Sequence, residues 1–170
     1  MRSRPSLGRW PLLAVALLLL AFVVGAPPAG ASASTRSAEV LRLLNAARAH
    51  HGVPPLRADR RLARAAAAHS RDMVARRYFA HRSRTGERPC QRIARTGWMH
   101  GRRHWHVGEN LAWGTHRKAR PAAIVRAWLH SPPHRRIMLD RSYLVVGVGV
   151  VRGVPFAGSR HGRTYTADFG

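Results

Sequence analysis

The run YLVVGVGVV, Tyr143 to Val151, constrains this chain more than any other stretch: β-branched residues dominate it and turn-forming residues flank it, so it reads as a strand. RTYTADFG, which alternates Tyr165, Ala167 and Phe169, is its predicted hairpin partner, joined through the Gly/Pro/Ser-rich RGVPFAGSRHG. Upstream the periodicity is helical. A first helix is predicted to start at Ser37, with Glu39 in its first turn and Val40, Leu44 and Ala47 along one face, and to stop at Gly52. VPPLRAD reads as a connector. Asp59 is a suitable N-cap for a second helix in which Leu62, Ala65, Ala66, His69 and Met73 follow the i, i+3, i+4 pattern, and its alanines predict close approach to another element. A short helix near Gln91 to Arg95 ends at Gly97, and WMHGRRHWHVGENLAWG reads as loop and short strand. A further helix runs from about Ala119 to Leu129, with Pro121 in its first turn and Ile124, Val125 and Trp128 as its apolar side. Helices come early and strands late, an order that predicts an α+β fold with helices packed on a small antiparallel sheet.

The N-terminus carries Arg2, Arg4 and Arg9 and then the uncharged apolar run Pro11 to Ala26. That run falls short of the roughly 20 residues of a comfortable membrane span, so residues 1–33 are expected to be a secretory signal, cleaved after Ala31 or Ala33. An uncleaved anchor is the alternative. Residues 34–170 have the size of one compact domain, with the Ser/Thr-rich SASTRS as the joint. The chain has one cysteine, Cys90, which excludes an intramolecular disulfide, so stability must come from the core or a metal.

Thirty Lys plus Arg against seven Asp plus Glu give a formal charge of +23. Lys118 is the only lysine, and such an excess of arginine together with abundant alanine looks like the codon bias of a GC-rich genome. The charge favours polyanionic partners, which outside the cell are envelope polymers or lipid headgroups. The arginines are scattered rather than clustered, which argues for a solvated surface and against a specific nucleic-acid reader.

Among eleven histidines, His50 and His51 close a helix and His69 lies on an apolar helix face as a hydrogen-bonded core residue. His100, His116 and His161 sit in polar stretches and read as surface, and His130 ends a helix. His104 and His106 of HWH could share one face of a strand, a geometry metals accept, but no third ligand is close in sequence. His81 follows Tyr78 and Phe79, which are expected to anchor the backbone in the core. His134 lies in WLHSPPHRRIML, where Ser131 can cap a helix that begins at Pro132. Spacing alone leaves these two as unrelated surface residues or as a pair.

The ordered set LLNAARAHHGVPPLRADRRLARAAAAHSRDM, YFAH, VGENLAWG, AWLHSPPHRRIML, VGVGVV and YTADFG resembles the bacterial branch of the CAP superfamily, the secreted SCP-like or pathogenesis-related-1-like domains. The resemblance covers Ser37 to Gly170. It implies a three-layer α-β-α sandwich with a cleft where two histidines and acidic residues converge, often around a divalent ion such as zinc. Carried over, His81 and His134 are the histidines and the metal ligands, Glu109 is the cleft carboxylate that orients an imidazole or a metal-bound water, and Asn110 fixes the loop. Without the family, Glu109 reads equally as a neutraliser of nearby arginines. One departure matters. Many eukaryotic members carry a second glutamate shortly after a tryptophan, whereas Trp128 here is followed by Leu129, His130 and Ser131, so water must complete any metal shell.

Two functions follow. The chain is a secreted, monomeric binding module for an extracellular lipid, glycan or peptide, with or without a metal, or it is a metal-dependent hydrolase in which His81 or His134 with Glu109 activates water. Ser131 and Cys90 are weaker nucleophile candidates: capping explains the first, and a lone thiol in an exported protein is more often buried or incidental.

Overall fold

The structure, a computed structural model, describes residues 29–157 and 161–170. Residues 1–28 of the expected export signal, 1–33, lie outside the described residues, among which no helix is long and apolar enough to cross a membrane.

Helix α1, Ala29–His50, runs through the expected cleavage sites and the expected joint. Its Ser37 hydroxyl does not cap a start but donates back to the Ala33 carbonyl at 3.1 Å, the bond a serine makes inside a helix. Glu39 is therefore mid-helix, paired with Arg42 at 2.8 Å. At the far end, Gly52 adopts φ +63° and turns the chain. Just before it, Arg48 is fully buried without a carboxylate partner. Its guanidinium donates instead to the carbonyls of Pro54, Met138, Asp140 and Tyr143 at 2.7 to 3.1 Å, tying the end of α1 to the chain that enters the sheet. Four carbonyl acceptors replace hydrogen bonds lost from water and so offset part of the desolvation cost of this buried cation.

The sheet has strand order β1-β3-β4-β2, from β1 (Arg57–Ala58), β2 (Gly108–Thr115), β3 (Val145–Arg152) and β4 (Gly162–Phe169). β3, β4 and β2 are antiparallel, as expected, and the two-residue β1, inside the expected connector, adds a parallel edge to β3. β2 pairs with β4 along eight residues, so the segment read as loop and short strand supplies a full strand.

Alternation along β3 sets the layers. Val146, Val148 and Val150, with Tyr165, Ala167 and Phe169 of β4, face Val40 and Leu44 of α1, Ile124, Val125 and Trp128 of α4 (Pro121–Leu129) and Met138 of α5 (Pro132–Leu139). Burying each of the larger side chains contributes about 1.5–3 kcal/mol. The intervening Gly147 and Gly149 face α2, Arg60–Arg76, capped by Asp59 through the amides of Arg61 and Leu62. A Cβ at Gly147 would lie 2.0 Å from the Ala63 amide nitrogen, and one at Gly149 2.3 Å from that of Ala67. The alanine face of α2 therefore rests on bare strand backbone. Helix α3, Pro89–Arg95, completes that side with Ile93 packed near Leu62 and Trp98. The result is the α-β-α sandwich.

The close approach gives a test of the fold. Gly149→Ala is expected to cost about 3 kcal/mol or more in urea denaturation, the upper range for overpacking, and Gly149→Val to abolish cooperative unfolding. A Gly149→Ala variant as stable as the parent would mean that α2 does not sit on the strand backbone.

Candidate functional site

Glu109 is the second residue of β2 and faces the α2 side, opposite Asp168 of β4. Its side chain is 2% exposed, and both oxygens are committed: Oε1 to His81 Nδ1 at 2.7 Å and Oε2 to Arg92 Nη2 at 2.6 Å. Burial pushes its carboxyl up, but the hydrogen bond with His81 and the charge of Arg92 outweigh it, and the net shift is below the ordinary glutamate value.

Local sequence places both partners. Arg92 sits one turn into α3, whose start is set by Pro89 and by the Arg88 amide donating to the Gln91 side chain at 2.7 Å. His81 follows the end of α2, where Arg77 adopts φ +53°. Tyr78 is then anchored, buried with its hydroxyl donating to Asp72, whereas Phe79, expected in the core beside it, is exposed. His69, buried on α2, pins the residue before His81 through Nε2 to the Ala80 carbonyl at 2.9 Å. Burial lowers the His69 pKa, so this imidazole is neutral. The imidazole of His81 itself is 55% exposed.

Asp168 lies directly beneath this group and is fully buried, in register with Gly147 on one side and Glu109 on the other. No donor reaches either of its oxygens. Burial first, and then the adjacent Glu109 charge, raise its pKa well above the ordinary value. Burial beside a carboxylate thus favours the protonated form of Asp168, while the negative charge of the pair rests on Glu109, which Arg92 and His81 hold.

His134 stands in the first turn of α5, and Asn110, fully buried, donates from Nδ2 to its carbonyl at 3.1 Å. Successive β2 residues point to opposite faces. Glu109 thus holds the His81 segment on one side of this edge strand while Asn110 holds the His134 segment on the other. The two imidazoles are near enough that His81 charge, after burial, lowers the His134 pKa. Ser131 occupies the cap position of α5, but its hydroxyl makes no capping bond; it pairs with His134 Nδ1 at 2.7 Å. HWH lies before β2 rather than in a strand, and His106 Nε2 is bonded to Ser142.

As a metal site the arrangement fits two donors. Each Nδ1 is engaged, leaving Nε2 of His81 and of His134, while Glu109 has no free oxygen and acts through His81. Among the described residues no group of three or more His, Cys, Asp or Glu is arranged to hold a metal. Sequence reasoning missed Arg92 and Asp168. Arg92 is hidden by the abundance of arginine, but Asp168 left a signal: an acid between the inward-facing Ala167 and Phe169 must face the other side of the sheet, towards the helix that also carries His69.

Asp168 and Glu109 bend stability with pH in opposite senses. Above the ordinary aspartate value of 3.8, Asp168 keeps a proton that the unfolded chain has lost, so its contribution falls as pH rises towards its raised folded value. Glu109, with a lowered pKa, contributes stability above 4.5 that is lost as pH falls through its folded value. Asp168→Asn removes the titrating group and with it the first slope. It is expected to be more stable than the parent at pH 8 by more than about 1.4 kcal/mol, the worth of one pKa unit, with the gap closing near pH 4 in urea denaturation. A variant less stable at pH 8 would show that Asp168 is ionised.

Residues 41–158, more than half of the chain, match the model of the CAP family, the cysteine-rich secretory protein family. Two proteins of Bacillus subtilis (strain 168) are each 34% identical to it: the uncharacterized protein YkwD over 123 residues and the uncharacterized membrane protein YlbC over 124 residues. These matches take in 72% and 70% of this chain, which spans 45% and 32% of theirs. A crystal structure of an extracellular protein containing an SCP domain from Bacillus anthracis str. Ames superposes with a TM-score of 0.67 at 28% identity, over 81% of this chain and 40% of that one. An outer surface protein from Borrelia burgdorferi shares the fold at a TM-score of 0.66 and 19% identity, over 80% of this chain and 92% of that one. With one cysteine of its own, and with these matches over a shared sandwich, the chain belongs to the CAP family of cysteine-rich secretory proteins.

Proposed function

We propose that this is a secreted binding module whose His81/His134 cleft takes an extracellular lipid, glycan or peptide, and that a divalent ion such as zinc is held there weakly by the two Nε2 atoms with water completing its shell. The observation that supports binding over hydrolysis is the commitment of Glu109. Both of its oxygens are taken, at 2.7 and 2.6 Å, so the carboxylate that would serve as general base is occupied in orienting His81. What faces solvent is an imidazole fixed by a buried anion, a directional donor or ligand. A metal bound between the imidazoles would supply Lewis acidity to whatever ligand oxygen reaches it. Export is supported by the expected signal and by the extracellular and surface descriptions of the structural neighbours. At an anionic envelope, the strong positive charge that remains once Arg2, Arg4 and Arg9 are removed with the signal speeds encounter rather than selecting the ligand.

One observation keeps metal-dependent hydrolysis as a second reading. The lowered pKa of His134 favours the neutral imidazole, which in this reading serves as base through Nε2 instead of as a metal ligand, leaving His81 and water to hold the ion.

Zinc titration calorimetry at neutral pH separates these possibilities. Saturable one-to-one binding is expected, weakened in His81→Ala and in His134→Ala and lost in the double variant, with thermal unfolding little changed because neither side chain packs the core. Affinity that survives both substitutions would remove the site assignment. On the binding reading, zinc-loaded parent and His134→Ala hydrolyse a simple ester equally slowly; a loss confined to His134→Ala would favour the hydrolase.

A further inference from the structure

At the end of the sheet opposite Glu109, where Thr115 pairs with Gly162 and Arg152 with Arg163, lies a pocket of about 290 Å³. Its polar lining is Arg36, His116, Arg120, Arg152, His161 and Arg163, and no acidic side chain lines it among the described residues. The four guanidiniums come from α1, the residue before α4, the end of β3 and the start of β4. Tertiary folding, not a run of sequence, brings them together.

Three features set this pocket apart from an arginine-rich surface. First, the cluster is not neutralised: the ion pairs found among the described residues use Glu39, Asp72, Glu87 and Glu109, all elsewhere. Second, Arg36 Nε is buried and has no acceptor, a donor of the kind folded proteins seldom leave unmade. Third, His116 holds φ +49°, a left-handed conformation that costs a residue other than glycine, with its amide donating to the His161 carbonyl at 3.0 Å and the two rings 5.9 Å apart. Burial, and then Arg36, also lower the pKa of the Arg163 guanidinium, as expected where cations are crowded out of water.

We propose that this pocket binds the phosphate group of a phosphate-bearing ligand, independently of the histidine cleft. Guanidinium forks match phosphate oxygens two at a time, and four of them exceed what the two oxygens of a carboxylate can accept. A pocket of about 290 Å³ is larger than a bare phosphate, so it has room for an attached group. A free phosphate, a polymer phosphodiester and a lipid headgroup share this chemistry.

The test is calorimetric titration of the full chain with three probes: inorganic phosphate, a short glycerol phosphate oligomer, and a short-chain phosphatidylglycerol below its micelle concentration. One site per chain is expected, with affinity reduced about tenfold or more in Arg36→Gln/Arg163→Gln, the scale of a lost charge-assisted bond. The double variant Arg57→Gln/Arg103→Gln, which removes the same charge from exposed positions elsewhere, should bind as the parent does. The tightest probe identifies the source of the phosphate. Equal weakening in both double variants, or no saturable binding of any probe, would overturn the proposal. Relief of like-charge crowding should leave the first variant folded; if it does not fold, Arg120→Gln/Arg152→Gln, at two exposed positions, carries the same expectation.

Discussion

The seat of α2 on the backbone of β3 is the constraint from which the rest of the site follows. Gly147 and Gly149 leave no side-chain layer between that helix and the sheet. Whatever projects from β4 into the same space is enclosed between helix and strands without room for water to solvate it. Thr166 meets this condition by bonding to Ser70 of α2 at 2.8 Å. Asp168, one pleat further along, has only a glycine and another carboxyl as cross-strand neighbours. Its raised pKa is thus a consequence of packing: the helix that excludes water also removes the medium in which that acid would ionise cheaply.

Charge at the cleft is organised around this enclosure. Glu109 keeps its charge because Arg92 lies buried beside it and His81 reaches it from the solvent side. Without Arg92 the pair Glu109 and Asp168 would carry the full desolvation cost, and without Asp168 in its acid form Glu109 would face a like charge. Each of the three buried groups fixes the ionisation of the next, and the exposed imidazole inherits a defined orientation. A chain with seven acidic residues places two of them here, and with Arg92 beside Glu109 and the Asp168 pKa raised, the cluster is close to charge-balanced.

Much of the scaffold was legible because single residues carried unambiguous local signals. Asp59 caps α2 as its position predicts, and Leu62, His69 and Met73 are buried on the face their spacing marks. The alanines of α2 indicated a close contact, and the glycines of VGVGV are its other half. The start of α1 was not legible, because Ser and Thr favour linkers by local propensity while the helix gains its stability from packing further along. β2 was only partly legible, since buried Glu109 and Asn110 interrupt an apolar alternation for reasons visible only in three dimensions. At Ser131 the error was one of competition: a hydroxyl at a cap position has two possible partners, and His134 displaced the backbone amide. Arg92, Arg36 and Arg163 could not be told from the other arginines, because what distinguishes them is the company each keeps after folding.

One strand carries both chemical ends of the molecule. β4 begins with Arg163 in the basic pocket and ends near Asp168 beneath the cleft, about 17 Å away at the rise of an extended strand. That separation is several times the reach of a hydrogen bond or an ion pair. No ion pair among the described residues joins the two ends, which lie too far apart for direct hydrogen bonding. Each end must be satisfied locally. At the cleft end Arg92 pairs with Glu109 and burial raises the Asp168 pKa, leaving His81 oriented and open. At the basic end no acidic side chain lines the pocket among the described residues, which is why a phosphate from outside the chain is the counterpart proposed for it.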